Sequence, residues 1–172
     1  MRAPGDTWGL IAVAALACLP ALFLTANAAQ KNEAAQYQAR FDHEPDAVQK
    51  AKLMQRLGVD EFAEIRKDID ADNLTEATRI LDQYRDDVRI CIEGLDAKKI
   101  NAVKHPSGFK QLQISVQEAL RQIDEITAEL TNDQQGEVVA VRNDLQRMND
   151  YLVEELFPSN PAAKAPKEKS DR

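Results

Sequence analysis

Two cysteines, two histidines and a short run of spaced aspartates carry most of the chemistry open to this sequence of 172 residues. Cys18 sits inside an apolar N-terminal run and is expected to be removed with it. Cys91 is then the only thiol left, so no intrachain disulfide forms in the mature protein. A nucleophilic cysteine needs exposure and a nearby cation or base. Cys91 instead falls on the apolar seam of a helix, which predicts a buried, structural thiol. His43 and His105 are far apart, and neither stands in a metal-ligand spacing. A transition-metal site would need an unusual all-carboxylate set, and no cofactor is expected.

Asp68-x-Asp70-x-Asp72 matches the first ligand places of a calcium loop. Such a loop needs glycine next and a bidentate glutamate at its last position. Asn73 and Arg79 hold those places, and a cation where the last ligand belongs opposes calcium. The run is therefore expected to be a solvated helix end and turn. No glycine-rich phosphate loop, nucleophile elbow or zincin motif occurs. The many carboxylates read as helix surface charge, without pairing for acid-base work.

Lys98, Lys99, Lys104, His105 and Lys110 gather around one long loop of an otherwise acidic chain, and Ser107-Gly108 open a helix within it. Free N–H groups and the dipole at a helix start favour an anion. Together these residues are the candidate docking site for a phosphate, a carboxylate or an acidic partner segment. The competing reading is local. Lysines just after a helix stabilise its negative end, and the others keep the loop soluble.

Composition limits the elements that position these groups. The chain is 44% hydrophobic and 30% charged, with only 6 glycines and 5% aromatics, which disfavours a β-rich fold. The length allows one domain plus tails. A net charge of −7 and a pI of about 4.9 oppose binding to a phosphate backbone, so no nucleic-acid partner is expected.

Arg2, the apolar stretch from Gly9 to Leu24 and the small-x-small pattern Ala26-Asn27-Ala28 make residues 1–28 a secretory signal peptide, cut after Ala28. The apolar run is short for a membrane span, which needs about 20 residues. A membrane anchor follows only if this segment is retained. A lipoprotein reading fails on the residues around Cys18. Leu16 stands one place too close to the cysteine, and the sequence stays apolar beyond it. Residues 29–43 are polar and alanine-rich, a spacer or frayed helix. The tail 158–172 has no apolar side chain larger than alanine after Pro158 and is expected to be disordered.

Between them, 44–157 reads as a helical bundle, with Asp96 to Pro106 a polar connection between its third and fourth helices. Pro45 suits a first helical turn, and Gly58 is a natural stop. A second short helix, capped by Asp60, carries Phe62, Ile65 and Ile69. Asn73 and Glu76 form a capping-box-like start for the third. Leu74, Ala77, Leu81, Tyr84, Val88, Cys91 and Leu95 then repeat at steps of three and four, an unbroken heptad seam. Ser107 is expected to cap a fourth helix with the seam Phe109, Leu112, Val116, Ala119, Ile123, Ile126 and Leu130. Thr131-Asn132-Asp133 is expected to cap a fifth, with Val138, Val141, Leu145, Met148 and Leu152. Three long seams that close on one another bury a common core, so the expected fold is all-α: a small antiparallel bundle of three long and two shorter helices.

Asp46-Ala-Val-Gln-Lys-Ala-Lys-Leu-Met54, Lys104-His-Pro-Ser-Gly-Phe-Lys-Gln-Leu-Gln113 and Glu155-Leu-Phe-Pro158 together resemble exported helical proteins of soil bacteria, acidobacteria above all. The resemblance spans most of the mature chain and implies export and a helical fold, but no activity. A fainter likeness to tetratricopeptide repeats covers Phe62 to Tyr84. The helix beginning at Leu74 is too long for that repeat, and no second copy follows. The functional expectation is a non-enzymatic interaction module of the periplasm or cell envelope, with a protein partner or self-association. A membrane-tethered coiled-coil spacer and a ligand-binding protein or enzyme with a carboxylate-lined pocket are the alternatives.

Overall fold

The computed structural model describes residues 36–158, which form five helices and no strand. The expected signal peptide, the start of the 29–43 segment and the tail beyond Pro158 lie outside the described residues. Helix α1 is described over 36–43. It is followed by α2 (Ala47–Asp70), α3 (Leu74–Ala97), α4 (Ser107–Glu129) and α5 (Gln135–Leu156). Helix α2 packs against α3 and α4, and α4 against α5. Helix α3 makes lighter contact with α4 and α5.

The seam positions form the interior. Leu81, Val88, Leu112, Val116, Ile123, Val138, Leu145 and Leu152 are wholly buried. Each such side chain taken out of water contributes about 1.5–3 kcal/mol before the entropy of ordering it is subtracted. Tyr84 lies at the centre. Its ring meets Phe62 edge-on, with centroids 5.4 Å apart and planes at 75°. Its hydroxyl donates to the Ser115 carbonyl at 3.0 Å, joining α3 to α4.

Gly58 does not end a helix, and Asp60 does not start one: α2 runs unbroken through both. The reason is packing. Gly58 is buried, and a Cβ there would come within 3.1 Å of Tyr84 Cε2. The glycine admits the tyrosine ring at a continuous helix face, where burial outweighs the roughly 1 kcal/mol that glycine costs inside a helix. The shorter helices expected on either side of it are one helix of 24 residues.

Of three expected caps, Asn73 keeps its place before α3 and the other two are replaced. Asn73 makes no capping bond. Its side-chain amide turns back to Asp68, while Glu76 is taken by Arg79 through both carboxylate oxygens. Ser107 is the first residue of α4, and Pro106 precedes it as the cap. At α5 the cap is Gln134, whose side-chain oxygen accepts from the backbone N–H and hydroxyl of Thr131 and so closes the turn.

Two helix ends close alike. Asp72 (φ 57°) and Lys99 (φ 52°) adopt the left-handed conformation just past α2 and α3. The next amides, of Asn73 and Ile100, reach back to the carbonyls of Asp68 and Leu95, which satisfies acceptors the helix leaves open. Asp68-x-Asp70-x-Asp72 is thereby a helix end and turn.

Described residues before Pro45 join the core. Phe41 of α1 is 1% exposed and takes Lys50 Nζ over its ring at 4.8 Å. Tyr37 packs on the core edge beside Arg56.

Candidate functional site

The basic cluster is spread along the connection from α3 to α4. Lys98, Lys99, Lys104, His105, Ser107 and Lys110 are exposed, and Gly108 is buried. Lys98 closes α3, with its ammonium 3.9 Å from Asp46 at the start of α2. Asn101 folds the loop by accepting the Lys104 N–H on its side chain and the His105 N–H on its backbone carbonyl. Ala102 pins the middle of the loop into the core.

Gly108 has a packing role. A Cβ there would stand 2.9 Å from Leu95 Cδ2 and 3.4 Å from the Val48 backbone. Leu95 is fully buried, so its side chain yields only by disturbing the close-packed core around it. Gly108→Ala should therefore cost about 1–2 kcal/mol net of its gain in helix propensity, read as a lower urea midpoint at unchanged slope. A glycine serving only to admit an anion would tolerate the methyl.

Another opening lies where α3 meets α5 only lightly. It is an open groove of about 510 Å³. Ile92 of α3 and Met148 and Tyr151 of α5 supply its apolar surface. The rim is charged. Arg89 is paired with Asp86, and Arg147 with Asp144. The Tyr151 hydroxyl donates to both carboxylate oxygens of Asp96, at 2.8 and 2.9 Å, which ties the C-terminal ends of the two helices together. Glu93 adds a carboxylate to the same rim. A smaller cleft of about 370 Å³ lies between α1 and α2, lined by Arg40, His43 and Lys52 among others. The two histidines thus sit apart, one in this cleft and one on the α3–α4 loop.

A second polar feature is internal. Glu61 of α2 is 8% exposed, and its Oε2 has no hydrogen-bond partner. Burial, then the Asp87 charge, pushes its carboxyl from the ordinary 4.5 up to about 8. Asp87 of α3 is 2% exposed and accepts from Gln83 of its own helix at 3.3 Å and from Gln38 of α1 at 3.2 Å. Burial raises the Asp87 carboxyl as well. Cys91, one turn further along α3, is wholly buried, and its thiol is pushed up to about 12 by burial and by Asp87. A thiol so protonated is a poor nucleophile at neutral pH. Among the described residues no group of three or more histidine, cysteine or carboxylate side chains is placed to hold a metal ion. None of the described helices is long and apolar enough to cross a membrane.

Sequence reasoning read the carboxylates, Asp87 and Glu61 with them, as helix surface charge. Reading the stripe through Gly58 places Glu61 on it, at helical spacing from Met54, Leu57 and Ile65. The groove had no signal of its own, because Met148 belongs to a seam and Tyr151 stands beside it. No family model matches the chain, and neither a curated protein nor a solved structure matches it.

Proposed function

We propose that this chain is an exported protein of the cell envelope whose helical domain is a non-enzymatic docking module, with the α3–α5 groove as its docking face. The carrying observation is the groove itself: an apolar floor of Ile92, Met148 and Tyr151 inside a charged rim. Apolar clefts with a few placed polar groups are the usual seats of an amphipathic helix. Glu93 has no ion-pair partner among the described residues, whereas both rim arginines are already neutralised within the chain. The fitting partner is therefore a helix with an apolar stripe flanked by lysine or arginine.

The scaffold in this reading is an antiparallel bundle, in which the chain reverses at Ala71–Asn73, at the 98–106 loop and at the turn before α5. Export rests on the leader read over 1–28. It requires a mature chain that starts at Ala29 and, having lost Trp8, shows no tryptophan fluorescence.

A photocrosslinking side chain at Glu93 or Arg147, both on the groove rim, tests the docking face in intact cells. One discrete protein adduct is expected from each position, and none from the same group at Val59, which is exposed on α2. Adducts equally abundant from Val59, or none from the rim, would contradict the assignment.

A further inference from the structure

We propose that the buried Glu61–Asp87 pair is a proton-operated seat for helix α1, which holds α1 down while protonated and loosens it on ionisation. Three geometric facts carry this. Glu61 lies more than nine-tenths buried, with a carboxylate oxygen that nothing satisfies. Asp87, also buried, is reached from α1 by Gln38. Helix α1, described over 36–43, rests on α2 and α3 through Phe41, through Tyr37 at the core edge and through the Gln38 bond. The helices beneath it run for 24 residues each and share the whole core.

The surroundings offer a second buried negative charge little relief. From α2, Asp60 and Glu64 add like charge to Glu61. From α1, Asp42 acts on Asp87, as Asp86 does from α3. Among the described residues Arg79 opposes this at Glu61, and it is already held by Glu76 through both carboxylate oxygens. Lys50 acts on Cys91 rather than on the pair. The buried Tyr84 hydroxyl is engaged by Ser115. Ionising Glu61 while Asp87 is charged therefore sets two carboxylates together in a medium that hydrates neither. Water reaches them at least cost by lifting α1, which bares Phe41 and the core surface it covers.

The linkage has a definite sign. The seated form keeps a proton that the lifted form gives up, so lifting becomes easier as pH rises and levels off near pH 8. Amide hydrogen exchange on the full chain between pH 5 and 9, corrected for intrinsic rates, reads this directly. Protection of residues 36–43 should fall by up to about tenfold per pH unit and then flatten. Glu61→Gln should hold that protection within about threefold across the range, while Asp87→Asn, which keeps an acceptor for Gln38 but leaves Glu61 buried, should make the fall level off at a lower pH. Protection of 36–43 that ignores pH while α3 and α4 lose theirs would overturn the proposal, because the pair would then be linked only to global unfolding. A slope unchanged in both variants would overturn it too.

Discussion

Substituting alanine for Tyr84 should destabilise the protein by about 3–5 kcal/mol, the largest loss expected from any single side chain. Tyr84 is fully buried, stacks edge-on with Phe62, fills the face left open by Gly58 and bonds α4 through Ser115. Removing it leaves a cavity where α2, α3 and α4 meet, and the glycine wall has no side chain with which to refill it. Tyr84→Phe keeps the ring and deletes only the hydroxyl bond, so about 1–2 kcal/mol should be lost. Small domains have only about 5–15 kcal/mol in total. The alanine variant should therefore unfold at a much lower urea concentration, and phenylalanine should recover more than half of the deficit. Equal losses from the two variants would show that the hydroxyl, rather than ring packing, holds the junction.

The second large effect is on pH. Glu61 ionises near its ordinary 4.5 once unfolded and near 8 when folded. Between those values the native state binds a proton that the unfolded state has released, so stability falls as pH rises through the window. Below it both states are protonated and the full contribution is present. Above it both are ionised and the loss is complete. At 1.36 kcal/mol per pH unit the ceiling is about 5 kcal/mol, with Asp87 acting in the same direction. Urea unfolding of the native chain should show decreasing stability from pH 5 to pH 8. Glu61→Gln should remove most of that slope and be the more stable protein at pH 8, by about 2–4 kcal/mol. Near pH 4.5 the two should differ little. A native chain whose stability is level or rising across the window would refute the assignment of the proton to Glu61.

Much of the fold was legible because helical periodicity is a local signal. The seams of α3, α4 and α5 appear in the core where the three-four spacing puts them. Leu74, Leu130 and Met148 are only partly buried. Punctuation was less legible. Gly58 looks like a helix stop, and its actual use, contact with Tyr84, depends on a residue in another helix. Asn73 and Ser107 are good capping residues by type. Asn73 found a different partner, and Ser107 fell one place inside its helix. Gly108 stands at a helix start, and its close approach to Leu95 depends on a residue in another helix. The groove depends on how closely α3 approaches α5, a tertiary distance that no stripe encodes. Glu61 was hidden because a carboxylate on an apolar stripe is unusual, and the apparent break at Gly58 interrupted that stripe.

The central claim is that the long helices share one interior that opens as a unit. Native-state hydrogen exchange at pH 6 in rising urea tests it through the amides of Leu81, Val116 and Leu145, one from each seam. The account predicts that their opening free energies converge on a single line with the slope of global unfolding. Leu145 on a lower line of its own, reached while Leu81 and Val116 remain protected, would mean that α5 is only an appendage, and the groove beside it would not be a wall of the core.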